Sequence, residues 1–436
     1  MSVTTPTVTP EIVPGPRQIA TAIIASCLGW SLDLYDLFLL LFVAPVIGKL
    51  FFTTKSATLS LAAVYAAFAV TLLMRPVGSA LFGSIADRRG RKRAMTIAVI
   101  GVGIVTALFG ALPTLAQIGI FAPILFLALR LVQGIFVGGV VASTHTIGTE
   151  TVPERYRGLL SGFIGGGGAG IGALLASIAL AIISRLFPGA EFAVWGWRCM
   201  FFTGLLSAGL GLFVFRSLEE SPLWRKAEPT ARTRAPLGTL LRRPHRGVLL
   251  VNLLLTIGGG AGYYLTSGFM PSFLHLVSGL GRGATAHILI LGSLVAIVSA
   301  SAGGALSQWI GRKPAFLIIG VINLIALPLL YLRLAHATSL GEITWLALAL
   351  AFLGNAGYAP VLIFLNERFP TSLRATGTGL SWNLGFAVGG TMPFLVSLAS
   401  GSVGGIAPTL AAFCGVMFVI YLIGALVVPE TRGRLG

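Results

Sequence analysis

The sequence predicts an all-α membrane protein with twelve transmembrane helices arranged as two six-helix repeats, and three observations carry that prediction. Hydrophobic residues make up 56% of the 436 residues and charged ones only 10%, at a mean hydropathy of +0.93, the composition of a chain solvated largely by lipid. Apolar runs of about 20 residues, long enough to cross a bilayer, recur along the chain. Two polar loop motifs each occur twice, once in either half of the sequence.

In order, residues 1–18 are rich in Thr and Pro and read as a cytoplasmic tail, without the apolar core of a cleaved signal peptide. The first half, 19–216, holds spans at 19–44, 57–82, 94–112, 118–149, 158–186 and 195–216. The stretch 217–246 is the longest polar segment and reads as a linker. The second half, 247–428, holds spans at 247–273, 284–307, 314–334, 343–366, 375–399 and 405–428, followed by a tail at 429–436. "GSIADRRGRK" at 83–92 returns as "GALSQWIGRK" at 304–313, and "ETVPERYR" at 150–157 returns as "ERFPTSLR" at 367–374. Parallel repeats of this kind place a substrate site near the midplane between the halves.

The net charge of +17 would suggest nucleic acid in a soluble chain; here the cations sort by topology. Arg17, the cluster from Arg88 to Arg93, Arg155, Arg157, the linker cations, Arg312, Lys313, Arg368, Arg374, Arg432 and Arg434 fall on one side. Lys49, Lys55, Arg185, Arg282 and Arg333 fall on the other. The positive-inside rule then places both termini in the cytoplasm and the protein in the plasma membrane. The three cysteines show no metal or disulfide spacing, and no cofactor is expected.

Charged groups inside spans point to function, because a mid-membrane carboxylate costs about 2.5–3.5 kcal/mol. "GWSLDLYDLFLLLF" puts Asp33 and Asp36 near the middle of span 1. Three helical positions leave their side chains about 60° apart on one side, and both are candidates for proton coupling, with Asp36 favoured. Arg130 in span 4 sits at matching depth and is the expected partner, as a charge relay or as a fixed pair. Arg75, just before Pro76 in span 2, either holds an anionic substrate through its guanidinium fork or snorkels to the surface. His145 lies beyond Arg130 toward the cytoplasm, as a proton relay or a plain interhelical contact. Tyr35 in span 1 and, in the second half, Tyr263, Tyr264, Asn355, Tyr358, Trp382 and Asn383 supply uncharged groups for a pocket wall. Glycine runs at 162–173 and 258–262 suit close helix approach and bending.

The loop "GSIADRRGRK" and its second copy resemble the signature of the major facilitator superfamily. "LDLYDLF", "LMRPVG", "RLVQGIFVGG", "FMPSFL" and "SWNLGFAVGGTMP" extend the resemblance over both halves to the metabolite:proton symporters, the carriers of organic acids and of proline or betaine. That resemblance implies the major facilitator fold and an arginine at Arg130 facing span 1. It also implies a cytoplasmic gate in which Asp87 and Arg91 latch one side, with Glu150, Arg157, Glu367 and Arg374 as partners. Val140 stands where that family often carries an acid, and Gln308 where the second loop usually has Asp, which should weaken that latch.

The sequence thus predicts a proton-coupled symporter importing a small organic-acid anion by alternating access, acting as a monomer in the lipid bilayer. A carrier or uniporter for a zwitterionic or sugar-like solute is the alternative within the class. A solute sensor is disfavoured because the chain shows no soluble signalling domain, and an enzyme because it shows no nucleophile and base set.

Overall fold

The computed structural model describes residues 15–52, 56–216, 219–220, 236–243 and 245–434. Lys55 and most of the linker lie outside them, as does the side chain of Asp87. Twelve helices are long and apolar enough to cross a membrane, as the sequence predicts. The first half contains α1 (Pro16–Phe51), α2 (Ala57–Arg89), α3 (Arg91–Gly110), α4 (Phe121–Thr151), α5 (Glu154–Leu186) and α6 (Phe192–Arg216). The second contains α7 (His245–Leu276), α8 (Arg282–Ile310), α9 (Arg312–Ala335), α10 (Leu340–Glu367), α11 (Arg374–Ala399) and α12 (Val403–Val427).

The repeat seen in the loops is a repeat in packing. The pairs α2–α4, α1–α5 and α3–α6 of the first half return as α8–α10, α7–α11 and α9–α12 in the second. The halves meet along two seams, α2–α11 and α5–α8. On the second seam, Gly158 and Gly162 of α5 lie against the backbone of Gly304 and Ala300 of α8, where a Cβ would collide with main-chain atoms. The glycine run of span 5 is therefore a contact surface between halves, which small residues permit.

The motif "GSIADRRGRK" is less of a loop than expected, because its residues through Arg89 continue α2. The chain reverses across a single residue, Gly90 at φ 105°, and α3 starts at Arg91. Gly311 repeats the corner at φ 103° between α8 and α9; only glycine adopts this conformation without strain. Each corner exposes the N-terminal amides of the next helix, and in each half a glutamate from beyond the sixth helix accepts them. Glu220 accepts from the Arg91 and Lys92 amides at 3.0 and 3.2 Å, and Glu430 from Arg312 and Lys313, both at 3.0 Å.

Glu430 also accepts from the amides of Thr431 and Arg432. Its partial burial disfavours charge, but the four backbone donors outweigh that, so its carboxyl is held below the ordinary range. A depressed carboxyl stabilises the fold above its unfolded value of about 4.3 and loses that contribution as pH falls through the folded value. Glu430→Gln should therefore lower the unfolding free energy in detergent at neutral pH by about 1 kcal/mol, the loss of a partly exposed helix cap. The gap from wild type should close below about pH 4.

Candidate functional site

The centre of the molecule is built on α1, whose middle turns are sealed from all sides. The 60° offset between its two aspartates is enough to send them to different neighbours. Asp33 turns to α2, where Arg75 Nη2 lies 3.5 Å from Asp33 Oδ1, with Asp33 and Arg75 each only 2% exposed. Both groups act electrostatically on Tyr263 and Tyr264 of α7, so the pair faces the second half. Asp36 turns inward to its own half, toward Thr106 of α3, Arg130 of α4 and Ser207 of α6. No oxygen of Asp33 accepts a hydrogen bond from a described protein group, the Asp36 carboxylate has only the hydroxyls of Thr106 and Ser207 beside it, and Arg75 Nε and Nη2 donate none. Buried ionic groups with unused hydrogen-bonding capacity are what a charged solute or a proton can satisfy.

The expected pairing of Arg130 with the aspartates takes a different form. Arg130 donates from Nη1 to Gln133 Oε1 at 2.6 Å, and its guanidinium lies 4.2 Å from the Phe109 ring and 5.1 Å from Phe126. Gln133 in turn donates to Thr106 at 2.8 Å. Arg130 is thus coupled to Asp36 without closing a salt bridge, while Arg75 takes Asp33. Snorkelling of Arg75 is ruled out by its burial. Tyr35 also points into the first half, donating to Thr203 of α6.

Opposite Asp33 and Arg75, the second half presents a connected set of aromatic rings. Tyr263 lies 5.1 Å from both Tyr264 and Tyr358, and Trp382 stacks on Phe386 at 3.7 Å. A π-helical turn, Tyr264–Gly268, interrupts α7 beside the tyrosine pair, a distortion frequent at functional sites. Asn355 donates to Ser267 at 3.0 Å and, with Tyr263, Phe38 and Phe42, lines a cavity of about 40 Å3. Phe42 and Leu289 separate it from a larger vestibule of about 190 Å3, whose walls include Lys49 and His275.

The halves close on both sides of this centre. Toward the basic loops, Glu150 accepts from Arg91 of its own half and from Arg374 of the other, both at 3.1 Å. Trp30 meets Trp382 at 5.6 Å, and Asn383 donates to Ser79 of α2 at 2.5 Å. Arg157 is half-buried and coupled to Glu154, Arg374, Glu367 and Glu150. Glu367 pairs with Arg312 at 2.9 Å inside the second half, and Gln308 still accepts from Arg312 at 2.8 Å. On the opposite side Tyr65 stacks on Phe269 at 5.4 Å and bonds Ser272 at 2.9 Å. His145 sits below Trp30, bonded to Ser161 at 2.9 Å and Asn366 at 3.1 Å.

Sequence reading missed Trp30, Ser79, Asn366 and Phe386, which look like ordinary span residues until the halves are docked. It also missed Glu220 and Glu430, for which a signal exists: "EESP" and "PETR" each follow the sixth span of a half.

Two six-helix halves closed around a buried carboxylate and arginine are the architecture of a membrane transporter with its site between the halves. The chain belongs to the Major Facilitator Superfamily, whose profile matches residues 19–393. It is 30% identical to the Inner membrane metabolite transport protein YhjE of Escherichia coli strain K12, over 94% of each chain. It is also 30% identical to the Glycine betaine/proline/ectoine/pipecolic acid transporter OusA of Dickeya dadantii, over 96% of this chain and 84% of that one. The Proline/betaine transporter of Salmonella typhimurium is similar at the same identity, over 96% and 85%. Among solved structures, the proton:xylose symporter XylE bound to 6-bromo-6-deoxy-D-glucose superposes with a TM-score of 0.75 at 19% identity, over 96% of this chain and 97% of that one.

Proposed function

We propose that this protein is a proton-coupled symporter of the inner membrane that imports a small carboxylate-bearing solute, with a zwitterion of the betaine or proline type as its preferred substrate. The observation that carries this reading is the Asp33–Arg75 pair facing the tyrosine pair of α7. A zwitterion can exchange one internal ion pair for two external ones. Its carboxylate takes the guanidinium fork of Arg75, and its cationic nitrogen meets Asp33 and the π faces of Tyr263, Tyr358 and Trp382. The names of the proline and betaine relatives support the same substrate class.

Asp36 is the proposed proton site. Among the described residues it has no cation in salt-bridge range, and a second carboxylate lies nearby, so charge on it is less well compensated than on Asp33. Arg130 sets the balance from within the first half. The halves 19–216 and 247–428 rock about the site as units joined by the 217–246 linker, with the basic-loop side cytoplasmic and the monomer as the working form. Coupling comes from the different affinities of solute and proton for the two conformations.

A simple organic-acid anion is the second reading, favoured by the confinement of both mid-span arginines, Arg75 and Arg130, to the first half. Proteoliposome uptake of labelled glycine betaine at two pH values, with competition by proline, ectoine, citrate and succinate, separates the two. Inhibition by the zwitterions and proton entry with the solute are expected. Inhibition by the acids alone would overturn the substrate class, and rates indifferent to pH and gradient would overturn the coupling.

A further inference from the structure

We infer that His145 is a proton-sensitive bolt of the basic-loop gate, holding the halves together through Asn366 only while its imidazole is neutral. The directions of the hydrogen bonds around Asn366 fix this without appeal to the ring itself. Thr149 spends its hydroxyl hydrogen on the His145 carbonyl at 2.9 Å, so it can only accept from Asn366 Nδ2, 2.9 Å away. Thr378 donates to Asn366 Oδ1 at 2.8 Å, which fixes the amide orientation from the other end. The second hydrogen of Asn366 Nδ2 therefore points at His145 Nδ1, 3.1 Å away, and Nδ1 must offer a lone pair. The ring proton is then on Nε2 and is donated to Ser161 Oγ at 2.9 Å.

This bond crosses from α4 to α10, from one half to the other, and it is fully buried. The groups packed on the ring are Trp30 from α1, Ser161 from α5 and Asn366 from α10, with no acid in salt-bridge range among the described residues. The charged groups nearest along the network are Glu150 of α4 and Arg374 of α11, already joined to each other, and Arg374 also donates to the Asn366 carbonyl at 3.1 Å. In an open gate the ring is hydrated and takes a proton near an ordinary value of about 6.5. Reclosing an imidazolium sets N–H against N–H at Asn366 and seals a charge away from any counter-ion. Rotating the amide turns Oδ1 to the ring and lets Thr378 accept from Nδ2, but it takes the donor away from Thr149 and still leaves the buried charge without a counter-ion among the described residues. On the orientation proposed above, an acid cytoplasm holds the gate open and slows the return step, which limits proton import when protons accumulate.

The test reads the gate directly and needs no substrate, so its result stands apart from the substrate assignment. Spin labels at the exposed positions Arg155 and Pro370, in a chain with its three cysteines replaced by alanine, report the distance across the gate by double electron–electron resonance in nanodiscs. Between about pH 8 and about pH 5.5 the ratio of long to short distances should rise about tenfold in wild type, with the rise setting in near pH 6.5. His145→Asn keeps an acceptor in place of Nδ1 and should flatten the profile. Asn366→Asp gives the imidazolium a carboxylate partner and should reverse it, with acid closing the gate. A wild-type ratio that does not change with pH, a His145→Asn profile that tracks wild type, or an Asn366→Asp response of unchanged sign would each overturn the proposal.

Discussion

Arg75→Ala is expected to abolish uptake. The substitution removes the only cation in salt-bridge range of Asp33 among the described residues and leaves its carboxylate buried. Breaking a buried pair from one side costs about 3–5 kcal/mol, enough to reduce transport by roughly two to four orders of magnitude if it falls on the loaded state. Arg75→Lys keeps the charge but loses the bidentate fork, and should recover stability while leaving uptake impaired. The combination of Asp33→Asn with Arg75→Gln separates folding from function. It removes both charges together, so the melting temperature in detergent should return toward wild type while uptake stays absent. Recovery of uptake in the double variant would show that the pair only stabilises the fold.

Glu150→Gln is expected to open the basic-loop face. Glu150 is the shared acceptor of Arg91 and Arg374, one from each half, and all three are buried. Neutralising it leaves two guanidinium groups of like charge facing each other across the seam, with a loss of about 3 kcal/mol in favour of closure, or roughly a hundredfold in the conformational ratio. Distances across the gate should lengthen, and cysteines placed along the inner halves of α1 and α7 should become reactive toward polar thiol reagents. Glu367→Gln is the contrasting case. Its ion-pair partner Arg312 belongs to the same half, and across the seam Glu367 acts only at longer range on half-buried Arg157, so the substitution should lower thermal stability and shift the gate far less. If both variants moved the gate equally, the assignment of Glu150 as the crossing residue would be wrong.

The fold was legible from composition, span length and repeated loops because lipid leaves few ways to satisfy a backbone. The presence of charge at the centre was legible for the same reason: Asp33, Asp36, Arg75 and Arg130 stand out against an apolar background. Their pairing was not legible. Equal depth suggested Arg130 as the partner of both aspartates, but depth does not report azimuth, and a 60° difference on α1 divides them between two helices. The gate was half legible. Repeated motifs picked out Glu150, Glu367 and Arg374, while the His145–Asn366 bond joins residues far apart in sequence whose individual environments look unexceptional. The Glu220 and Glu430 caps went unread because the repeat that contains them is only a few residues long.

The two seams between the halves are unlike, and that difference sets the direction of first movement. Along α2–α11, Ser79 and Asn383 tie the flanks with directional bonds. Along α5–α8, Gly158 and Gly162 come up against main chain, with the flexible Gln308 side chain beside Gly158, and among the described residues no side-chain hydrogen bond of this kind fastens the two glycines. One flank is a fastened edge and the other a smooth bearing. Opening should therefore begin as a small slide of α5 past α8, and separation along α2–α11 should follow only once its bonds have been released.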